Sequence, residues 1–388
     1  ASVDLHGGQV GQFNAVLRAD NFSDITTLEQ EVSPFGADTV LARFATNGTD
    51  CVAVMTVAGG HSGRVYARNQ LVETLTSAED VRSEAWVLWF PGCAPTPAGI
   101  RRIAGGPTGE AVAFGVQSTG DGTTLVYGLS KQGLRYGSRT VLTDLIAGSA
   151  PASNNLEGFA LILDAAKSPR VARSFRDQGA NSGFSAIISG AALGNGFAIT
   201  TGLAGVATTV DHRDIEVPLP GNPTGAAVLA PRYLLAAYDL DGAPLWSNVT
   251  SGEAKDSVLA EVTFAKNGVV TGGRTSGNTF GVGPSQVVLN EHGTGGCLVA
   301  GWDETGRRWA GSLCRPLQSG GTSPFADETE AGVQVVGVPG SNGMIVAGQV
   351  YAPCELGFGR KQVIGEEGKV TGFLARINSA DGIGCDGP

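Results

Sequence analysis

Residues 267–314 carry a pattern that most of the chain repeats, and no other feature constrains the fold as strongly. The pattern opens on a strand of the form Gly268-Val269-Val270-Thr271-Gly272, followed by a loop containing Phe280-Gly281-Val282-Gly283. An apolar strand comes next, Cys297-Leu298-Val299-Ala300-Gly301-Trp302, ending on Asp303. A Thr305-Gly306 turn and a return strand through Trp309 to Cys314 close the unit. Internal repeats outrank motifs as a guide, because one supersecondary unit that cannot bury its own apolar face must stack on copies of itself.

The apolar strand and its turn recur at Tyr233 to Asp239 (turning at Asp241-Gly242), at Phe373 to Asn378 (turning at Asp381-Gly382), and at Phe159 to Asp164. Earlier copies read Trp86-Val87-Leu88-Trp89-Phe90 and Val40-Leu41-Ala42-Arg43-Phe44, the latter turning at Asn47-Gly48. Asn-Gly and Asp-Gly are strong hairpin signals because both central residues tolerate positive φ. These are six copies at spacings of roughly 45 to 75 residues, which suits four-stranded propeller blades with long loops. Most are preceded by a second hairpin. Residues 111–114 lead to 125–128, 186–188 to 197–202, 258–265 to 269–272, and 333–336 to 344–348.

The expected fold is therefore an all-β, single-domain β-propeller over residues 1–388, with six blades of four antiparallel strands. Five or seven blades stay open, because residues 51–86 do not supply a full set of strands. The last unit has little room for a fourth strand, which residues 2–6 are placed to provide, so the N-terminal segment helps close the ring.

Composition agrees. The 59 glycines are about twice the usual share, and charged residues are only 16% against a typical quarter. Short strands and tight turns use such a chain better than helices do. With a net charge of −10 and no Lys/Arg cluster in sequence, nucleic acid is not an expected partner. No apolar run is long enough to span a membrane as a helix. The chain starts at Ala1 without a hydrophobic leader, which fits an export signal already removed, and six cysteines fit three disulfides in an oxidising compartment.

The units resemble the bacterial β-propeller repeat of secreted and surface proteins, the SBBP type. The resemblance rests on residues 268–272, Phe280 to Gly283, and the strand from Leu298 on to Trp309, with a partial second set at Phe358-Gly359 and Phe373 to Asn378. It covers about the last two thirds of the chain. It implies a propeller and an extracytoplasmic location, and it brings no shared catalytic residues.

Candidate sites are sparse. Cys297 and Cys314 are equidistant from the Thr305-Gly306 turn, so an unbulged hairpin sets them opposite each other, within disulfide reach. Cys51 and Cys93 take turn positions in consecutive units, on one rim of the ring, which leaves Cys354 with Cys385 by elimination. The densest polar cluster is Asp211-His212-Arg213-Asp214, in the loop after Gly202, and Glu291-His292 takes the equivalent loop one unit later. Loops gathered at one end of a rigid β scaffold are where binding residues concentrate.

No cofactor is implied. Calcium has no specific motif, since Asp239-Leu240-Asp241-Gly242 lacks the later ligands of an EF-hand loop. No His pair has metal-ligand spacing and no Cys-x-x-Cys occurs. The five tryptophans fall on repeated strands and read as wedges between sheets.

The expected function is a secreted or cell-surface, non-catalytic binding and assembly module. Its partner would be a glycan, another protein, copies of itself, or a larger extracellular structure. The alternative is a carbohydrate-active enzyme, a glycoside hydrolase or polysaccharide lyase, with acids gathered at the propeller axis.

Overall fold

In the computed structural model the described residues are 14–17, 25–30, 42–67, 70–106, 109–131, 133–142, 157–177, 187–203, 208–210, 232–250, 258–265, 268–275, 279–280, 287–288, 296–312, 314–316, 333–337, 342–350, 353–356, 362–365 and 371–378. They form an all-β protein of several small antiparallel sheets. Among them the one helical element is a short 3-10 turn, Pro91–Cys93, and no helix is long and apolar enough to cross a membrane. The chain divides into two compact units. One is essentially residues 1–176, and the other holds most of 186–388.

The first unit has three sheets. Sheet II is a meander of Ala42–Thr46, Cys51–Ala58, Ser83–Phe90 and Gly99–Ala104. The two central strands are buried along their whole length. They read as apolar runs because both faces are covered. Val52, Val54, Val87 and Trp89 pack toward sheet III, whereas Ala53, Met55, Trp86 and Leu88 pack under a hairpin of sheet I. That hairpin, Ser62–Ala67 and Gln70–Thr76, pairs with Ile25–Gln30, which pairs with Asn14–Leu17. Gly63 lets it seat, since a Cβ there would lie 2.7 Å from Met55 Cε. Sheet III is built on Ala111–Ser118, Thr124–Ser130, Glu157–Leu163 and Pro169–Asp177.

One expectation is corrected here. The stretches around 40–44 and 86–90 do not open separate units, because Ala42–Thr46 and Ser83–Phe90 are the first and third strands of one sheet. The Asn47-Gly48 turn leads into the second strand of that sheet. The chain then leaves through the hairpin of residues 62–76 before returning, and this excursion hid the missing strands.

The second unit repeats the meander. Sheet IV is Ile187–Leu193, Gly196–Leu203, Arg232–Asp239 and Pro244–Thr250. Sheet V is Val258–Ala265, Gly268–Thr275, Gly296–Asp303 and Gly306–Ser312. Sheet VI is Gln334–Gly337, Gly343–Val350 and Thr371–Asn378. The expected strand pairs around 197–202, 269–272 and 344–348 are all formed.

Stacking within each unit is uneven in a regular way. First strands pack closely on one another: Ala42–Thr46 on Ala111–Ser118, Ile187–Leu193 on Val258–Ala265, and Val258–Ala265 on Gln334–Gly337. Fourth strands of neighbouring sheets, such as Pro244–Thr250 and Gly306–Ser312, barely meet. Neighbouring sheets are therefore wedged, close at the first strand and apart at the fourth.

A second device recurs. The connection from second to third strand of a sheet carries a short hairpin that widens the preceding sheet. Leu134–Tyr136 and Arg139–Leu142, from the connection of sheet III, extend sheet II beyond Gly99–Ala104. Cys354–Leu356 and Gln362–Ile364, from the connection of sheet VI, pair onto Cys314–Pro316, which follows the last strand of sheet V. The added residues Leu134, Tyr136, Val141 and Leu142 pack into the core between diverging sheets II and III, where a wedge would otherwise leave a gap.

Candidate functional site

The polar cluster Asp211, His212, Arg213 and Asp214 and the pair Glu291, His292 lie outside the described residues, as does Cys385. Among the described residues no group of three His, Cys, Asp or Glu side chains converges on a metal-sized space.

Cys51 and Cys93 form a disulfide with a Cα separation of 4.8 Å. Its setting differs from the one expected. The two residues are not on consecutive units. Cys51 pairs in register with Phe90, and Cys93 ends the 3-10 turn that follows, so the bridge pins two adjacent strands of one sheet. Closing a loop of 42 residues stabilises the fold by about 4 kcal/mol in a chain-entropy account.

The unbulged hairpin assumed for Cys297 and Cys314 is not present. A bulge between Gly301 and Trp302 sets Leu298 opposite Ser312. Cys314 begins a separate strand facing Leu356, and Cys354 on that partner strand faces Pro316. The bulge has a packing cause: Trp309 lies across Gly301, where a Cβ would come within 2.3 Å of the indole Nε1.

The acidic turns have structural work. Asp239 Oδ1 accepts the backbone N–H groups of Asp241 and Ala243 at 2.9 and 2.8 Å, and Asp303 Oδ1 accepts that of Thr305 at 2.8 Å. These are turn caps of the Asx kind, which hold the hairpin. Trp86, Trp89 and Trp302 are buried, and Trp246 and Trp309 are half-buried against the cores between sheets. They are wedges, as the repeat implied.

The most chemically distinctive cluster was not found from the sequence. It sits at the outer margin of the first unit, where sheets II and III diverge. Tyr136, on the added hairpin, is buried and donates its hydroxyl to the Lys167 carbonyl oxygen at 2.8 Å. Lys167 belongs to the turn joining Glu157–Leu163 to Pro169–Asp177. Its amine stands 5.6 Å from the centre of the Trp89 ring, a cation–π distance.

Lys167 holds a left-handed φ of 65°, which a non-glycine residue adopts only when its surroundings enforce it. Three further hydrogen bonds do so. Lys167 N donates to Asp164 O at 2.9 Å, Ser168 N to Asp164 Oδ1 at 2.9 Å, and Asp164 N to Ser168 O at 2.9 Å.

Two arginines share this margin. Arg101 faces Val87 in register and lies two residues from buried Ile103, so it is on the side of sheet II turned toward sheet III. Arg139 faces Tyr136 directly across the added hairpin. Both are exposed. Burial pushes the Tyr136 hydroxyl well above its ordinary pKa, against a lowering by the Arg101 charge and with a further raising by Asp164. Trp89 Nε1 is buried and has no acceptor among the described residues.

On the other side of sheet II, Glu84 is fully buried and is met by the Arg102 guanidinium, Ser77 Oγ and Ala78 N. That carboxylate anchors residues 77–82, and Arg102 belongs to it. The margin around Tyr136 thus presents Arg101, Arg139 and Lys167 from three segments far apart in sequence. Only their convergence makes a cationic site, which is why a scan for Lys/Arg runs misses it.

The chain matches no known family model, and no curated protein matches it.

Proposed function

We propose that the chain closes into a β-propeller of six blades and serves as a non-catalytic binding and assembly module, secreted or held at a cell surface. The observation that carries the ring is a register equivalence among the sheets of the second unit. Ala198 and Leu235 of sheet IV pack against sheet V, and Val270 and Val299 of sheet V pack against sheet VI. Ile345 and Leu374 take the same register positions in sheet VI, yet they are 39% and 74% exposed. The last sheet therefore carries the chemistry of a face that receives another sheet.

Sheet I, the sixth sheet, whose strands Asn14–Leu17 and Ile25–Gln30 come from the N-terminal segment, is the candidate to cover that face. Residues 1–41 hold six acids (Asp4, Asp20, Asp24, Glu29, Glu31, Asp38) against one base, Arg18. The receiving face carries the exposed Arg376 opposite Ile345. A second copy offering the same face would set arginine against arginine. Tethering also gives the chain's own segment a high effective concentration. The wedge between neighbouring sheets, narrow at first strands, is the geometry that bends such a stack around an axis.

The binding role is supported by the disulfide, by the resemblance to secreted propeller repeats, and by the cationic margin on the first unit. Negative-stain electron microscopy of the full chain tests the ring, with a toroid of six-fold pseudo-symmetry expected. An elongated two-lobed particle would overturn it, and five- or seven-fold views would overturn the count. Incubation with polysaccharides tests the absence of catalysis, because release of new reducing ends would establish an enzyme instead.

A further inference from the structure

We infer that the basic margin around Tyr136 is a docking surface for an acidic polysaccharide, holding carboxylate or sulfate groups along the sugar chain. This gives a ligand class to the binding role proposed above and rests on it. The surface is assembled from Arg101 on Gly99–Ala104, Arg139 on the added hairpin, and Lys167 on the turn of sheet III, with exposed Arg170 three residues further on.

Residues 99–104, 133–142 and 164–170 together contain a single acid, Asp164, whose Oδ1 is engaged by Ser168 N. The adjoining turn adds Asp121, beside the Gly122 that lies against the Lys167 amine, and its carboxylate is engaged by Thr119 and Thr123. In a chain of net charge −10, cations gathered in this way create a local field opposite to that of the rest of the surface. Guanidinium groups suit planar or tetrahedral oxyanions, which they grip with two parallel N–H donors.

Rigidity favours recognition over a chance patch. The backbone of the Lys167 turn is fixed by the Tyr136 hydroxyl and by its own Asp164 cap, and the Trp89 ring gives its amine a place to rest, which limits the freedom lost on binding.

The charge density selects the polymer. Duplex nucleic acid carries a charge about every 1.7 Å and needs a long basic track. An acidic glycan is charged more sparsely and needs only a short one, which is what three or four cations in an acidic protein supply.

The test is calorimetric titration of the full chain with polygalacturonate and with heparin, using dextran as the uncharged control and double-stranded DNA as the competing polyanion. Binding to polygalacturonate, heparin or both is expected, weakening as salt is raised, with none to dextran. Arg101→Gln and Arg139→Gln should each weaken it about tenfold while leaving the melting midpoint unchanged, since both side chains are exposed.

Failure to bind either glycan, or equal or tighter binding to DNA, would overturn the inference. Glycan binding that survives both substitutions together would sink this surface and leave the binding role standing. Cleavage of either polymer would sink the non-catalytic reading itself.

Discussion

Two third strands show what the meander demands and where it is left incomplete. Glu157–Leu163 of sheet III is buried at every residue, whereas Thr371–Asn378 of sheet VI alternates, with Leu374 standing 74% exposed. Phe159 and Leu161 on one, like Phe373 and Ile377 on the other, face a core. The positions between them differ in cover more than in chemistry. Ala160 and Ile162 are enclosed, while Leu374 is apolar and open and Arg376 is exposed beside it. A strand apolar on both faces belongs inside a stack, and Leu374 is an apolar position that lacks such cover.

Substitution at matched positions breaks or confirms this comparison most forcefully. Val299→Asp places an uncompensated charge in the core between sheets V and VI, and a loss of about 5 kcal/mol is expected, enough to prevent folding. Leu374→Asp, read by urea unfolding, should cost a comparable amount if the N-terminal segment covers it. A change near zero would show an open face and end the ring proposal.

The disulfide comes next. Cys51→Ala with Cys93→Ala should lower stability by about 4 kcal/mol, and urea unfolding with and without reductant measures it. The bridge ties strands already paired through eight residues of register, Cys51 with Phe90 to Ala58 with Ser83. A cost under about 1 kcal/mol would mean that the unfolded chain keeps this pair together without it.

Smaller effects sharpen the contrast between tight hairpins and the added ones. Asp239→Ala removes the acceptor for two backbone N–H groups in the turn of sheet IV, and a loss of about 1 kcal/mol is expected. If calcium rather than the turn used this carboxylate, the wild-type melting midpoint would rise on adding calcium and the variant's would not.

What could be read from the chain follows the range of the interactions. Hairpins with Asn-Gly or Asp-Gly at the turn were legible, because the turn chemistry and the strands lie within a dozen residues. Burial on both faces was legible in runs such as Trp86 to Phe90. The bulge at Gly301 was not, since it depends on where the Trp309 ring comes to rest. Nor was the turn, which sets Asp303 opposite Gly306, so that Leu298 faces Ser312 and the expected Cys297–Cys314 pair is one residue out of register. The added hairpins escaped notice because Leu134–Tyr136 pairs with a strand thirty residues back while sheet III is still being built. The basic margin escaped for the same reason: Arg101 and Lys167 meet only through Tyr136 and the wedge it fills. Cys51 and Cys93 were paired correctly, but because they share a sheet and not because two blades share a rim.

The mildest prediction concerns acid. Asp121, in the hairpin turn of sheet III, accepts the Thr119 hydroxyl at 2.6 Å and, through both oxygens, the Thr123 N–H and hydroxyl at 3.0 and 3.1 Å. These bonds, the Thr119 hydroxyl foremost, hold its carboxyl below the usual value of 3.8 against a weak opposing effect of burial. A carboxyl depressed in the folded state contributes stability that is fully present above its unfolded pKa and vanishes as pH falls through the folded one. Urea unfolding of wild type and Asp121→Asn should therefore diverge at neutral pH and converge as pH is lowered beneath the ordinary aspartate range. The turn is solvated, so the neutral-pH gap should be roughly 0.3 kcal/mol after screening. The absence of a gap at every pH would assign the turn's stability to backbone geometry shared by both residues and leave the carboxylate no part in it.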